Sequence, residues 1–397
     1  MAEVAYAGAE HVFGDGAGFE GVHVALDGGF GLFQLGFGTD IVVGVTAVSV
    51  GSQGPRGMPY PHARLAVMNL PIAPSPVFES YWRFAAERHR VYEQRLQGLP
   101  APWTSDRILS AYRFTNVYRA ADRVSQFLIR EVIYRGDRAT DEVVFRVLLF
   151  KLFNKIETWQ LLRAEFGELS LSTFDVETAD RLLGDSRARG QRIYSNAYIV
   201  PPIAGSEGVK HRGHLRLIAT MIDDGLPGRI RDSSSLEAVY LLLRSYPGIG
   251  NFLAYQFAVD INYSDVTGHD EDEFVMAGPG ALDGISKVFP GADLRHAERI
   301  IGRMTDEQDD WLSHYGLSFG GLFGRRLHLI DIQNLFCEIS KYARVAHPEV
   351  EGVSGRKRIK QSFRAGGPIP TPYFPPKWGL DVSVAQAQEP APQFAFP

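Results

Sequence analysis

Residues able to grip a phosphate and offer hydrogen bonds to a base edge recur along this chain at helical spacing. In Arg113-Phe-Thr-Asn-Val-Tyr-Arg-Ala-Ala-Asp-Arg-Val-Ser-Gln126, Asn116, Arg119 and Arg123 fall at three- and four-residue steps, on one helical face with Asp122 and Gln126 beside it. A solvated surface helix with local ion pairs would carry the same pattern. Asn154, Lys155 and Trp159 then set polar groups beside a large aromatic at the edge of an apolar helix, and both segments are expected to share one cleft. Tyr194, Asn196 and Tyr198 alternate along an extended stretch, where they would line a pocket, although tyrosine is as often ordinary core. Lys210 and Arg212 open a further helix and suit phosphate contact; His211 and His214 lack a third ligand, so no metal site is expected. Carboxylates come from Asp260 and from the string Asp270, Glu271, Asp272 and Glu273, while Asp331 and Asn334 are polar positions of a late helix.

The element that must position these groups is a helix, a tight turn and a second helix within 233–261. Leu236, Val239, Tyr240 and Leu243 form the first buried face, with Asp232 or Ser233 as N-cap. Pro247 stops that helix, Gly248 and Gly250 give the turn its freedom, Ile249 points back between the helices, and Ala254 lets them cross closely. Such a turn leaves backbone N–H groups facing outward, a site for one phosphate.

Composition bounds the alternatives. A chain of 397 residues with 45% hydrophobic residues and a net charge of −5 has material for a large core and is no general nucleic acid coat. Cys337 is the single cysteine, which excludes a disulfide framework or a four-cysteine cluster within one chain and fits a reducing cytoplasm. No apolar run reaches transmembrane length, and no cofactor motif is read. A monomer is expected.

Residues 1–76 read as a Gly/Pro-rich segment and linker. No Lys or Arg precedes Arg56, and the glycines show neither helical nor strand period, so residues 1–64 are expected to be poorly ordered, with translation starting at Met58 or Met68 as an alternative. Gly14-Asp-Gly-Ala-Gly18 lacks the strand and helix that a dinucleotide loop requires. A helical domain is expected over 77–365, with helices at 77–99 and 141–166, two more within 292–316 and one at 327–346, and a Pro-rich tail over 366–397.

Five separated motifs carry a resemblance: Arg113-Phe-Thr-Asn-Val-Tyr-Arg, Phe153-Asn-Lys-Ile-Glu-Thr-Trp, Pro247-Gly-Ile-Gly, Phe274-Val-Met-Ala-Gly-Pro-Gly-Ala and Asp331-Ile-Gln-Asn-Leu-Phe-Cys-Glu. Over about 78–365 the chain resembles the helical family of phage 5-hydroxymethyluracil DNA kinases. That family includes the glutamyl and putrescinyl thymine pyrophosphorylases and anti-phage glycosylases that excise glucosylated hydroxymethylcytosine. The resemblance implies a mainly α, DNA glycosylase-like fold with a helix-hairpin-helix, and modified phage DNA as partner. Kinase chemistry does not carry over, because no GxxxxGK[ST] loop is present.

Excision needs a flipped base, a stacking partner and a carboxylate that stabilises an oxocarbenium-like sugar. By the resemblance that acid lies beyond the hairpin, among Asp260, Asp272 and Glu273. Phe252 stands where strand-nicking glycosylases carry a lysine, so a monofunctional glycosylase of anti-phage defence is the leading expectation. The alternatives are a transferase displacing pyrophosphate from activated 5-hydroxymethyluracil, and a DNA-binding module without catalysis.

Overall fold

The computed structural model describes residues 33–35, 39–41, 73–196, 200–203, 208–366 and 369–383. It divides into two units, Met1–Tyr60 and Pro61–Pro397. In the first, strands β1 (Phe33–Leu35) and β2 (Thr39–Ile41) pair antiparallel with Phe33 opposite Ile41. This pair lies in the glycine-rich stretch for which no strand period is legible. The remaining expectations for residues 1–64 fall outside the described residues.

The second unit is α-helical among its described residues. Its helices are α1 (Val77–Leu96), α2 (Arg107–Ala111), α3 (Arg123–Phe127), α4 (Thr140–Phe153), α5 (Ile156–Phe166), α6 (Val176–Ala188) and α7 (Lys210–Asp223). They continue as α8 (Leu226–Arg231), α9 (Leu236–Arg244), α10 (Asn251–Asn262), α11 (Pro279–Val288), α12 (Ala297–Asp306), α13 (Gln308–His314) and α14 (Leu329–Ala346).

The core follows from the apolar spacing. In α1, Phe78, Tyr81, Trp82, Ala85 and Tyr92 are buried; Phe78 meets Trp311 edge to face at 4.8 Å and Tyr81 packs on Phe336. Helix α4 is apolar on most sides and buried from Val143 to Phe153, as a central helix must be. Helices α11 and α14 cross closely at Gly284, where a Cβ would stand 1.9 Å from the Phe336 carbonyl oxygen.

Two long helices expected from the sequence are broken. The 141–166 segment divides at Asn154, which adopts φ 47° and ends α4. Residues 113–126 are not one helix: an extended run leads into a 3₁₀ turn at Arg119–Ala121 and then into α3. Local side chains satisfy the backbone instead, since Asn116 N donates to Asp122 Oδ1 at 2.8 Å and Asn116 Nδ2 to the Ala121 carbonyl at 2.7 Å. Arg119 is consequently buried and Arg123 exposed, so the predicted common face does not exist. Beyond residue 365, residues 369–383 pack on this unit, with Phe374 buried.

Candidate functional site

The separated motifs converge on one buried carboxylate. Asp260, in the second helix of the hairpin, is fully buried; its Oδ1 accepts from Arg119 Nη1 at 2.7 Å and its Oδ2 lies 2.9 Å from Lys151 Nζ of α4. Arg119 also donates to Gln256 Oε1 at 2.9 Å and Tyr263 OH at 3.2 Å, and Lys151 donates to Asn154 Oδ1 at 3.1 Å. Burial alone would raise the Asp260 carboxyl, but the two cations outweigh it and hold it below the usual carboxylate range. Burial lowers the Lys151 ammonium against the pull of Asp260.

Asp331 extends this centre. Its Oδ1 accepts the Arg119 N–H at 3.0 Å and its Oδ2 the His328 N–H at 3.2 Å, a capping box at the start of α14. Burial raises its pKa to about 6 despite those bonds and Arg325 nearby. On the other side, Arg88 Nη2 donates to Asn116 Oδ1 at 2.6 Å, and Asn334 Nδ2 donates to the Asn116 carbonyl at 3.2 Å. Asp122 is raised to about 7, chiefly by burial. Shifted carboxylates of this kind cluster at functional sites and also in structural networks.

The other two candidate acids terminate helices. Glu273 Oε1 accepts the Leu236 N–H at 2.5 Å, at the first residue of α9. Asp272 Oδ1 accepts the Leu329 N–H at 3.2 Å at the start of α14, and its Oδ2 lies 3.0 Å from His328 Nδ1. Burial pushes the Asp272 carboxyl up, but His328 and that N–H hold it below its ordinary value. Asp272 and Glu273 therefore serve helix N-termini, where the positive end of the dipole favours them. Asp272, one-third exposed at its side chain, and Glu273 both reach solvent, unlike Asp260.

The remaining predicted residues scatter. Trp159 is core, edge-on to Phe150 at 5.8 Å, and Lys155 pairs with Glu157 at 3.1 Å. Arg123 acts electrostatically on that same Glu157, so it shares a surface with Lys155. Tyr194 stacks on Phe153 at 5.0 Å, hydrogen-bonds His214 at 2.8 Å and lies under Lys210 Nζ at 4.2 Å. Asn196 is exposed beside Arg192, and Tyr198 lies outside the described residues. Arg212 is held by Asp180 at 2.9 Å, which engages the guanidinium offered for phosphate.

The hairpin presents its turn to solvent. Ser235 Oγ accepts the Ala238 N–H at 3.0 Å and caps α9 in place of the expected Asp232 or Ser233. Ile249 is buried between the helices, whereas Pro247 and Gly250 are exposed. Gly248 has φ +78°, and a Cβ there would meet Ile203 at 3.1 Å. Gly250 departs from the expectation, with φ −78° and nothing within 4 Å of a Cβ. Among the described hydrogen bonds, none is donated by the backbone N–H of Gly248, Gly250 or Asn251.

Sequence reasoning missed Lys151, Gln256, Tyr263 and His328. A single Lys inside the apolar run Leu148-Leu-Phe-Lys-Leu-Phe153 was the available signal, because a buried ammonium requires a buried partner. It also missed a cavity of about 330 Å³ between α1 and the 320–324 loop, lined by His89, Tyr92, Glu93, Gly321, Phe323 and Asp381. Burial raises Glu93 to about 7 and lowers His89 to about 4.

Comparison with known proteins matches residues 75–352 to the family model described as 5-hmdU DNA kinase, helical domain. A protein of Bacillus phage SP10 named 5-hmdU DNA kinase is 28% identical over 311 residues, covering 72% of this chain and 48% of that protein. The chain thus spans about half the length of this curated relative. No solved structure matches the chain.

Proposed function

Because the chain belongs to the family of 5-hmdU DNA kinase helical domains, we propose that it binds DNA and acts on a modified pyrimidine in phage-type base hypermodification. The reaction we assign is attack of an amine on the 5-methylene carbon of a pyrophosphorylated 5-hydroxymethyluracil, so that a C–N bond forms as the C–O bond breaks, pyrophosphate leaves and the amine loses a proton to solvent. The observation that carries the DNA reading is the exposed turn between α9 and α10, whose N–H groups at Gly248, Gly250 and Asn251 lack described partners and suit one backbone phosphate. Arg244, whose Nε donates to Asn251 Oδ1 at 2.5 Å, adds positive charge at that turn.

Transfer is favoured over excision by the state of the carboxylates. Asp260 is sealed by two cations and Glu273 caps α9, so hydrolysis of a glycosidic bond would fall to Asp272, itself engaged by His328. The glycosylase-like architecture and the helix-hairpin-helix role of α9 and α10 belong to this reading, as do the cytoplasmic setting and the monomeric state. The kinase activity in the relative's name is not assigned here, since the chain has no GxxxxGK[ST] loop.

The test incubates the purified protein, with and without an amine such as glutamate or putrescine, with DNA containing 5-hydroxymethyluracil, its pyrophosphorylated form, or glucosylated hydroxymethylcytosine, and follows nucleosides and released bases by mass spectrometry. Pyrophosphate release that depends on the amine, with the amine-bearing base still in the strand, supports transfer. A free base with an intact abasic strand would establish excision instead, and binding without any product would leave a DNA-binding module.

A further inference from the structure

Residues 369–383 lie beyond the family span and run as a strap along the second unit. Arg130 donates to the Thr371 carbonyl, and Gln126 Oε1 accepts the Tyr373 N–H at 2.8 Å. Trp378 stacks on Phe374 at 6.1 Å, donates from Nε1 to Glu271 Oε1 at 2.7 Å and covers the Arg325 guanidinium at 3.8 Å. Arg325 in turn pairs with Glu271 at 2.8 Å, and Asp381 reaches the wall of the 330 Å³ cavity.

The fixing point of this strap is an ammonium group in a ring of carbonyls. Lys377 Nζ donates to the carbonyl oxygens of Asn262 at 2.5 Å, Ser264 at 2.9 Å and Thr267 at 2.8 Å. These oxygens stand at the C-terminal end of α10, where the helix dipole favours positive charge. The arc is braced without Lys377: Asn262 Oδ1 accepts from Thr267 Oγ1 at 2.9 Å and from the His269 N–H at 3.1 Å. Backbone carbonyls fixed on an arc replace the hydration shell of a monovalent cation, as they do in ion-selective filters.

We propose that the carbonyls of Asn262, Ser264 and Thr267 form a monovalent-cation site, which Lys377 fills in cis to lock the strap over Arg325. A weakly hydrated ion of potassium or ammonium size takes that place when the side chain is withdrawn.

The experiment uses the full chain carrying Lys377→Met, with hydrogen exchange read separately over 369–383, over 262–269 and over the middle of α10 as a control for folding. The variant should exchange at least about tenfold faster in the strap. Its 262–269 amides should regain protection in potassium or ammonium chloride but not in lithium chloride of equal ionic strength, while the parent protein shows no such ion preference. Unchanged strap exchange, absence of ion-specific protection in the variant, or an equal ion response in the parent would each overturn the proposal. If α10 itself loses protection, Lys377→Arg provides the second test: a guanidinium too wide for the arc should loosen the strap alone, and a strap as protected as in the parent would overturn the lock.

Discussion

The Phe252 ring fills the space that a side chain at Gly278 would need: a Cβ there would stand 2.6 Å from Phe252 Cε2. Gly278 has the ordinary φ of −76°, so the requirement for glycine is steric and not conformational. Gly278→Ala should cost about 1–3 kcal/mol by overpacking. Adding Phe252→Ala should recover part of that loss, and urea unfolding of the double-mutant cycle measures the coupling. Simple additivity would show that the two residues do not meet.

The Asp260 centre makes a sharper demand on stability. Lys151→Met leaves the buried carboxylate with Arg119 alone and should cost about 3–5 kcal/mol, read as a lower urea midpoint. A midpoint within error of the parent would show that Lys151 does not compensate Asp260.

The pH dependence of stability should carry the sign of Asp331. Its pKa is raised from 3.8 to about 6, so the folded state holds that proton more tightly than the unfolded chain. The contribution is complete below about pH 4 and is lost as pH rises through about 6, an unfavourable change on the order of 2–3 kcal/mol. Asp331→Asn keeps an acceptor for the helix start and abolishes this loss, so the parent-minus-variant difference should fall between pH 4 and 6 and then level. A flat difference across that range would contradict the assignment.

The two turn glycines should separate folding from DNA contact. Gly248→Val forces an unfavourable φ and approaches Ile203, so it should lower both stability and DNA affinity. Gly250→Val meets neither obstacle within the protein, so its stability should change by less than about 1 kcal/mol while a close strand is blocked. Duplex binding at fixed salt, with unfolding measured in parallel, decides this. Unaltered affinity in a folded Gly250→Val protein would remove the turn as the docking point.

Much of the architecture was legible in one dimension because helices bury faces at regular spacing. Leu236, Val239, Tyr240 and Leu243 announced α9, Pro247 and Gly248 its end, and the apolar run through Leu148 and Leu152 the central helix. The family was legible too, since its five motifs stand in one order along the chain, and the family match over 75–352 bears that reading out. What the sequence could not decide was the partner of each charge. Arg119 and Asp260 are 141 residues apart, and helical spacing alone set Arg119 on a shared face with Arg123. Only the tertiary structure turns Arg119 inward, because a local Asn116–Asp122 bond breaks the helix and Asp260, Lys151 and Asp331 meet there. Likewise Asp272 and Glu273 resemble free acids in sequence, yet folding brings helix N-termini against them; periodicity reports which face is buried, but not which distant dipole or cation a carboxylate will meet.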